Sequence, residues 1–360
     1  MKRLPPSPET DLERNLRAID ALFATGGLVR NRKGTRPGIT NRLREHRKDP
    51  ATKAELSGPA PIPITASNGV DFLQIPGWMR ARSREAAWLV HGFSTRREGV
   101  SRAYCAEDDP GELNLSFTKE DDREAVVENR RLLAEAVTGD PAFPIVTLRQ
   151  FHSNSLVIAN RADSVRQTAR KADGAMTAEQ GILLAVQTAD CIPVLVADRR
   201  RRVVAAFHAG WRGTVKRIVE CGIGRMRIEF GSQPEDLIAA IGPGIGVCCY
   251  SVGEEVRSSF ESQFVYAREL FRDVFDSDPI RTKYPMLFLT QRAPGHSPIG
   301  PSLHLDLVEA NRRQLLDAGL KIGAITVTGG CTSCHSELFF SHRASRGHAG
   351  RMLSVIGIRS

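Results

Sequence analysis

Residues 182–213 read ILLAVQTADCIPVLVADRRRRVVAAFHAGWRG, and this stretch decides the fold. It holds three apolar runs, at 182–186, 194–197 and 203–207, with short polar segments between them. Runs of this length, rich in β-branched residues, predict buried β-strands. Their connections are too short for helical crossovers, so some of the strand pairing must be antiparallel.

Strand-like and helix-like segments alternate on both sides of this stretch. Apolar runs at 88–90, 155–159, 237–241 and 324–327 predict further strands. Helical patterns occupy 123–137, 214–230 and 308–318. The alternation predicts an α/β chain with mixed sheets.

The first 65 residues differ in character from the rest of the chain. A short amphipathic helical pattern at 11–23 is followed by basic, aperiodic sequence and then by a proline-rich stretch at 50–63. We predict a mostly disordered, basic N-terminal extension over 1–65 and a single catalytic domain over 66–360. Residues 275–301 are proline-rich and aperiodic, which predicts a loop insertion within that domain.

The charge of the chain is concentrated in this extension. Residues 1–60 hold 13 Lys and Arg against 7 Asp and Glu, a net of +6 out of the chain's +9. The remaining 300 residues carry only +3, so the body of the protein is nearly balanced. We therefore expect at most weak contacts of the basic tail with nucleic acid, and no nucleic-acid function for the domain.

Apolar segments and cysteines bear on the cellular compartment. No apolar run is long enough to span a membrane, and prolines stand where a signal peptide needs an apolar core. The seven cysteines are odd in number and irregular in spacing. We expect a cytoplasmic protein with reduced thiols, some of which serve as metal ligands.

Three side chains that can bind metal lie next to predicted strands. His152 precedes the strand at 155–159, Cys191 follows the run at 182–186, and His208 follows the run at 203–207. Two imidazoles and a thiolate suit Zn²⁺, and three protein ligands leave a fourth position open for water or substrate. Their spacing matches no local metal motif, so the residues alone also allow a buried cysteine and ordinary core histidines.

Two neighbouring motifs permit other interpretations. Cys331-Thr-Ser-Cys334-His335 has the spacing of covalent haem attachment, which normally requires export, and no export signal is visible. The stretch His208-Ala-Gly-Trp-Arg-Gly213 predicts a strand-to-helix turn whose glycines allow close backbone approach. Arg212 in this turn is either an anion ligand or an ordinary surface arginine.

Taken in order, these motifs resemble the YfiH-like family, also known as multicopper polyphenol oxidases or laccase-domain proteins, peptidoglycan editing factor, and zinc-dependent purine nucleoside phosphorylases. The resemblance covers about residues 70–358, and its most specific parts are the segments around Cys191 and His208. The matching stretches are His91-Gly-Phe-Ser-Thr-Arg96, Asn114-Leu115, Gln150-Phe-His152, Ala172-Asp-Gly174, Thr188-Ala-Asp-Cys191-Ile-Pro193, His208-Ala-Gly-Trp-Arg-Gly213, Ile241-Gly-Pro-Gly-Ile-Gly246, Cys248-Cys249-Tyr250, Leu305-Asp-Leu307, Cys331-Thr332, Phe339-Phe-Ser341 and Gly350-Arg351.

The resemblance implies both a fold and an activity. The fold would be a layered α/β/β/α arrangement with mixed sheets, similar to the cytotoxic necrotizing factor deamidase fold. The activity would be zinc-dependent phosphorolysis of adenosine, inosine, guanosine and methylthioadenosine, accompanied by adenosine deamination, with copper as a substitute metal.

The resemblance also assigns roles to particular residues. It implies that His152, Cys191 and His208 hold the metal. For this activity we expect Cys191 and Asp190 to be catalytic, with Asp190 or another acid moving protons during deamination. A further set, Arg96, Asn114 and Arg212, is expected to bind substrate and phosphate.

Departures from the family pattern affect the expected pocket wall. Glu98 stands where the family usually has glycine, and Ser153 follows His152 where glycine is usual. His342 and Ala344 replace tyrosine and arginine in the family's Phe-Ser-Tyr-Arg-Arg stretch. The predicted metal ligands are unaffected, whereas the substrate preference is open.

Three other functions are compatible with the same residues. Copper-dependent phenol oxidation is one, although the chain has nine histidines and no His-x-His pair to hold several copper ions. A peptidoglycan-editing hydrolase would use the same site. A binding protein with a vestigial site is the third, and the intact ligand positions argue against it.

Overall fold

The computed structural model describes residues 62–78, 88–106, 109–165, 169–274 and 301–359. All of these residues belong to one compact unit, which spans 47–360. The predicted extension up to residue 61 and residues 275–300 of the predicted insertion lie outside the described residues. Within the described ranges, no helix has both the length and the apolar character needed to cross a membrane.

The first sheet has six strands in the order β1-β2-β3-β14-β7-β4. Its strands are β1 Ile62–Thr65, β2 Asp71–Gln74, β3 Leu89–Ser94, β4 Ile145–Thr147, β7 Ile182–Thr188 and β14 Met352–Ile358. Neighbours pair antiparallel except β4 and β7, which are parallel.

The second sheet also has six strands, in the order β13-β10-β8-β9-β6-β5. Its strands are β5 Leu156–Ile158, β6 Gly174–Thr177, β8 Ile192–Asp198, β9 Val203–Ala209, β10 Leu237–Ile241 and β13 Ile325–Val327. The β10–β13 and β5–β6 pairs are parallel and the others antiparallel, so the prediction of mixed sheets is confirmed.

Residues 182–213 supply strands to both sheets. The β8–β9 hairpin pairs antiparallel through all seven positions of each strand, as the short connection predicts. The preceding strand, β7, lies instead in the first sheet between β14 and β4. The chain therefore passes from one sheet to the other at 189–191, and Cys191 stands at this crossing.

Helices cover the outer faces of the two sheets. They are α1 Arg123–Thr138, α2 Ala162–Val165, α3 Trp211–Val215, α4 Ile218–Phe230, α5 Glu254–Glu261 and α6 Leu307–Asp317. The single helix predicted at 214–230 is in fact two, because Arg217 adopts a left-handed conformation with φ of 59° between α3 and α4. A separate two-stranded sheet pairs β11 Phe271–Val274 with β12 Ser302–Leu305.

Apolar side chains pack in three places: between the two sheets, and between each sheet and the helix on its outer face. Leu184 and Ile356 of the first sheet pack against Leu195 and other inward-facing residues of the second. On the outer face of the first sheet lies α1 with Leu133, and on that of the second lies α4 with Ile223. This is the α/β/β/α order expected for the domain.

The first sheet begins earlier than the predicted domain boundary at residue 66. Strand β1 pairs residue by residue with β2, with Pro63 opposite Leu73. Strand β1 is at the edge of its sheet, a place where proline is tolerated. Pro63, one of the prolines that suggested a linker, therefore lies in an edge strand, and residues 62–65 belong to the first sheet.

Candidate metal centre

The three predicted metal ligands come together at the end of the second sheet. His152 lies in the loop between β4 and β5, Cys191 in the crossing between β7 and β8, and His208 near the end of β9. Their ligand atoms all lie within 4.8 Å of one another, and Cys191 Sγ is 3.8 Å from His152 Nε2. Zn²⁺ binds nitrogen at about 2.0 Å and sulfur at about 2.3 Å, so tetrahedral ligand atoms lie roughly 3.5 Å apart. The set therefore fits a single ion of this size.

One buried carboxylate, that of Asp173, arranges both histidines. Its Oδ1 accepts hydrogen bonds from the backbone amides of Phe151 and His152, at 3.2 and 3.0 Å, and its Oδ2 accepts from the amide and hydroxyl of Ser153, each at 2.7 Å. The ring Nδ1 of His208 lies 2.9 Å from Oδ1. Asp173 is fully buried and stands directly before β6, which pairs with β9.

The contact with Asp173 fixes the orientation of the His208 ring. A carboxylate only accepts hydrogen bonds, so His208 Nδ1 donates and its Nε2 faces the site. Carboxylates of this kind commonly orient metal-binding histidines and increase their basicity. The same oxygen of Asp173 that accepts from the His152 amide accepts from the His208 ring, so the two ligands share one support.

Backbone conformation is constrained on both sides of the site. His152 has φ of 61° and Asp190 has φ of 91°, values that non-glycine residues rarely adopt. Such conformations persist only where surrounding contacts hold them. Asp173 provides those contacts for His152. For Asp190 they come from Thr332 Oγ1 at 2.7 Å and the backbone amide of Arg343 at 2.7 Å, one on each carboxylate oxygen.

The close approach of Cys191, His208 and Asp173 shifts the pKa of each of these side chains. Burial alone raises the pKa of the Cys191 thiol, but the neighbouring His208 and a hydrogen bond from His152 outweigh it and lower the pKa to about 6. Burial alone lowers the pKa of His208, yet the Cys191 charge and Asp173 raise it to about 9. Burial also raises the pKa of Asp173, and hydrogen bonds from His208 and Ser153 hold it well below its usual range. In the site without metal, these shifts favour a thiolate on Cys191 beside an imidazolium on His208.

The turn after β9 needs glycine at position 210 because two of the proposed ligand residues lie too close for a side chain. A Cβ at this position would lie 2.9 Å from both Cys191 Sγ and His152 Cδ2. Any side chain here would displace two of the three ligand residues. The predicted close approach of the backbone is confirmed at Gly210.

Tyr250 lies within electrostatic range of Cys191 and of two arginines, Arg212 and Arg343. The Arg212 guanidinium is exposed and stacks on Trp211, 4.3 Å from the ring centre. Arg343 lies 5.5 Å from the Tyr250 ring centre and donates to Ser251 O at 3.0 Å. Burial, followed by the nearby Cys191 charge, raises the pKa of Tyr250, against the opposing effect of Arg343 and Arg212. The Tyr250 hydroxyl therefore keeps its proton near the site.

Arg96, one of the predicted phosphate ligands, is held by other protein groups. Its guanidinium pairs with Glu112, donates to Ser336 O at 2.6 Å and lies 4.7 Å from the Phe340 ring centre. These contacts link its strand end to the segment that carries Phe340.

Asn114, expected to bind substrate, is fully buried and bonded internally. Its Nδ2 donates to Ser116 O at 3.0 Å and to Asp121 Oδ2 at 2.6 Å, while its Oδ1 accepts from the amides of Ser116 and Arg351. Of the predicted substrate and phosphate ligands, Arg212 is thus the exposed residue, four positions after His208 in the chain.

Two residues of the centre had no role assigned from the sequence. Asp173 stood in a recognised motif, Ala172-Asp-Gly174, but its partner His208 is 35 residues away. Tyr250 directly follows the cysteine pair Cys248-Cys249. Asp173 stands directly before β6, a strand that the sequence did not predict, so its position in the Ala172-Asp-Gly174 motif was the available signal.

Residues 90–359 match a family of proteins described as multi-copper polyphenol oxidoreductase laccase. The purine nucleoside phosphorylase YlmD of Geobacillus stearothermophilus is 35% identical over 292 residues, which cover 79% of this chain and 95% of that protein. Adenosine deaminase RL5, from an unknown prokaryotic organism, is 30% identical over 275 residues, covering 74% and 93%. The crystal structure of Bacillus licheniformis hypothetical protein YfiH superposes with a TM-score of 0.65 at 29% identity, covering 82% of this chain and 97% of that one.

Proposed function

Because this chain belongs to the multi-copper polyphenol oxidoreductase laccase family, we propose that it is a purine nucleoside phosphorylase working with one metal ion held by His152, Cys191 and His208. The family resemblance read from the motifs is confirmed by the match over 90–359. The nucleoside activity rests on the names of relatives that align over nearly their whole length, as YlmD does. The proposed substrates are adenosine, inosine, guanosine and methylthioadenosine, together with phosphate.

We propose zinc as the ion. Two imidazole nitrogens and one thiolate form a borderline-soft set, and three protein ligands leave one position open, as in catalytic zinc sites. When bound, zinc would supply Lewis-acid activation of a water molecule or of a substrate oxygen. Copper(II) binds most nitrogen and sulfur sets more tightly than zinc, so copper is the expected substitute when it is abundant.

The chain's own residues would position phosphate and nucleoside. Phosphorolysis requires phosphate to be held against C1′ of the ribose while the purine leaves, and fixed cations contribute by orientation and charge stabilisation. Arg212 is the proposed phosphate ligand, and Arg343 adds a second positive charge across Tyr250. The protonated Tyr250 hydroxyl is available as a hydrogen-bond donor. Asp190 is proposed to support the Cys191 turn through Thr332 and the Arg343 amide, and to move protons only if those contacts open.

Adenosine deamination is a second activity for the same site. Its support is the 30% identity to a protein named adenosine deaminase over 93% of that protein. The full zinc deaminase signature, His-x-Glu followed later in the chain by Pro-Cys-x-x-Cys, is absent: glycine precedes Cys331-Thr-Ser-Cys334, and His335-Ser-Glu337 comes after that pair. Deamination here would therefore depend on the ligands and residues already described.

Oxidation of phenols by several copper ions has little support in the described residues. Among them, two groups could hold a metal, and His152, Cys191 and His208 form the one that contains histidine. A second histidine-rich group, as a multi-copper enzyme would need, is not found in the ranges described. Oxidation by a single copper ion replacing zinc is what the geometry allows.

Replacement of Cys191 by alanine tests the proposal. The wild type should carry about one metal ion at this site and release purine base from adenosine and inosine only when phosphate is present. Cys191→Ala should lose that ion and nearly all turnover, because one of three protein ligands is gone. Cys105→Ala is the matched control, since Cys105 contacts the backbone oxygens of Ser101 and Arg102 and lies outside both metal-competent groups.

Metal content and turnover should be measured on the same preparations. Full metal content at this site in Cys191→Ala would contradict the ligand role and point to a covalent nucleophile if activity were lost. Base release without phosphate would indicate hydrolysis instead of phosphorolysis.

A further inference from the structure

A second group of metal-competent side chains lies outside the candidate metal centre. The four cysteines 248, 249, 331 and 334, here called the four-cysteine cluster, have sulfur atoms that all lie within 4.8 Å of one another. Cys334 Sγ is 3.5 Å from Cys248 Sγ and 3.4 Å from Cys249 Sγ. All four are free thiols, so the cluster is not held together by disulfides.

The spacing of the sulfurs matches a single tetrahedral ion. Four sulfurs at about 2.3 Å from one Zn²⁺ are separated by roughly 3.8 Å from each other. The separations of 3.4 and 3.5 Å and the upper limit of 4.8 Å bracket this value. A multi-iron cluster would hold its cysteine sulfurs farther apart, so this geometry favours one ion.

Local backbone structure directs the four sulfurs to one point. Cys331 and Cys334 form a Cys-x-x-Cys turn in which the Cys334 amide donates to Cys331 O at 3.1 Å. Cys249 donates its amide to Gly246 O at 3.0 Å, within a turn that follows β10. The Gly246 amide donates to Cys331 Sγ at 3.2 Å, an interaction that favours the thiolate form. A Cβ on Gly246 would lie 3.1 Å from Cys331 Cβ and 3.2 Å from Cys248 Sγ, so a side chain here would press on two of the four cysteines.

We propose that the four-cysteine cluster is a structural site for one soft divalent cation, with Zn²⁺ as the expected occupant. Four protein ligands leave no open position, which is the arrangement of structural zinc sites and differs from the three-ligand centre. The motif Cys331-Thr-Ser-Cys334-His335, whose spacing resembles haem attachment, is on this assignment half of a zinc site.

The position of the cluster explains what an ion would do there. It joins the turn after β10, which ends at Tyr250, to the segment after β13, which contains Thr332 and leads to Arg343. Both segments are bonded to Asp190: the Ile245 amide donates to its backbone oxygen at 2.8 Å, and Thr332 Oγ1 donates to its carboxylate. The ion would therefore fix the two segments that support the Cys191 turn.

Metal stoichiometry of variants tests this site separately from the proposed function. Wild-type protein grown with zinc and purified with reductant but without chelator should hold about two ions per chain, one per site. Cys191→Ala should keep about one ion, and the double variant Cys331→Ser with Cys334→Ser should lose that one while keeping the ion of the other site. Cys105→Ser, a thiol outside both sites, should keep both.

Cobalt and thiol chemistry identify the ligands. Cobalt(II) bound to Cys191→Ala should show the strong thiolate charge-transfer and visible bands of a tetrahedral four-sulfur complex. In the same variant, four thiols should resist alkylation until a chelator is added.

Cys191→Ala decides the proposal even if the double variant fails to fold, because it leaves the cluster intact. A folded Cys191→Ala protein without metal, or a disulfide within the cluster of reductant-purified protein, would overturn it. Two ions in the wild type with no nucleoside turnover would instead contradict the proposed function alone.

Discussion

At the residue scale, Asp173 supports two of the three residues that could bind the metal. A single carboxylate accepts hydrogen bonds from three consecutive amides and from the His208 ring. It therefore sets both the left-handed backbone of His152 and the tautomer of His208. This separation between ligands and their support is common in metal sites, where the outer residues tune the affinity.

Replacing Asp173 by asparagine should weaken metal binding without removing a ligand. Asparagine keeps the size of the side chain but offers one acceptor oxygen in place of two, so one set of amide contacts is lost. We expect a fall of about 10–100-fold in metal affinity, with turnover recovering at high metal concentration. Metal titration with a competing chelator measures the change. Asp198→Asn is the control, because that buried carboxylate lies at the opposite end of β8 and serves a turn. Equal losses in both variants would indicate a general folding defect.

The Cys191 thiol of metal-free protein should react as a thiolate at mildly acidic pH. Its pKa of about 6 means that the fraction of thiolate rises with pH through this value, and not near the ordinary value of about 8.5. Alkylation by iodoacetamide, followed at the Cys191 peptide by mass spectrometry, should show a midpoint near pH 6. The same thiol in urea-unfolded protein should return to the ordinary midpoint. An unchanged midpoint in the folded protein would mean that His208 does not stabilise the thiolate.

At the element scale, the contact between α4 and β9 decides how closely the helix approaches the second sheet. A Cβ on Gly222 would lie 2.3 Å from the Phe207 ring, and Phe207 is fully buried next to the ligand His208. Two positions farther along the same helix, Gly224 is exposed and has open space around it. The two glycines therefore differ in their role: Gly222 leaves room for the Phe207 ring, whereas no neighbouring atom would oppose a side chain at Gly224.

Alanine at these two positions should change stability in opposite directions. Within a helix, alanine is favoured over glycine by about 0.8–1 kcal/mol, so Gly224→Ala should raise the free energy of unfolding by roughly that amount. At Gly222 the added methyl overpacks the core, which typically costs about 1–3 kcal/mol and exceeds the helical gain. Urea unfolding of both variants checks the signs. Stabilisation by Gly222→Ala would show that α4 can move away from the sheet.

At the scale of the whole molecule, two sheets packed face to face place the three proposed metal ligands on rigid supports. The ligands come from a loop after the first sheet, from the crossing between the sheets and from a strand of the second. Relative movement of the sheets would separate His152 from His208. The central core between the sheets and the hydrogen bonds of Asp173 oppose that movement together.

Two N-terminal deletions should locate the edge of the domain. Removal of residues 1–61 should leave the melting temperature and nucleoside turnover unchanged, since the sequence there is basic and, apart from the short helical pattern at 11–23, aperiodic. Removal of 1–65 also deletes β1 and its four pairs with β2, at roughly 0.2–1 kcal/mol for each pair. The longer deletion should therefore lower the melting temperature measurably. Loss of cooperative unfolding after the shorter deletion would show that the extension is part of the fold.

Local sequence by itself predicted half of the strands, among them β7, β8, β9 and β10, and the helical stretches that contain α1, α4 and α6. It also named His152, Cys191 and His208 as candidate ligands, which stays a prediction. The β8–β9 hairpin, with seven residues in each strand, follows from a short connection that permits only antiparallel pairing. Strands such as β4, β6 and β14 were not predicted. The break in the predicted helix at Arg217 was not visible, because arginine has no intrinsic preference for a left-handed conformation. The edge strand at residues 62–65 was missed because proline indicates a linker as readily as an unpaired edge.

Only the tertiary structure decided which sheet each strand joined and which partner each polar group found. Strand β7 lies in the first sheet although the next strands in the chain, β8 and β9, lie in the second. This placement depends on how whole sheet faces pack and not on the residues of β7 alone. Asp173 is hydrogen-bonded to His208, 35 residues away, and Thr332 to Asp190, 142 residues away. Arg96, predicted to bind phosphate, forms an ion pair with Glu112 instead. The four-cysteine cluster likewise joins segments about 85 residues apart. Hydrogen bonds and metal ligation act over a few ångströms, so their partners are set by the folded path of the chain and not by spacing along it.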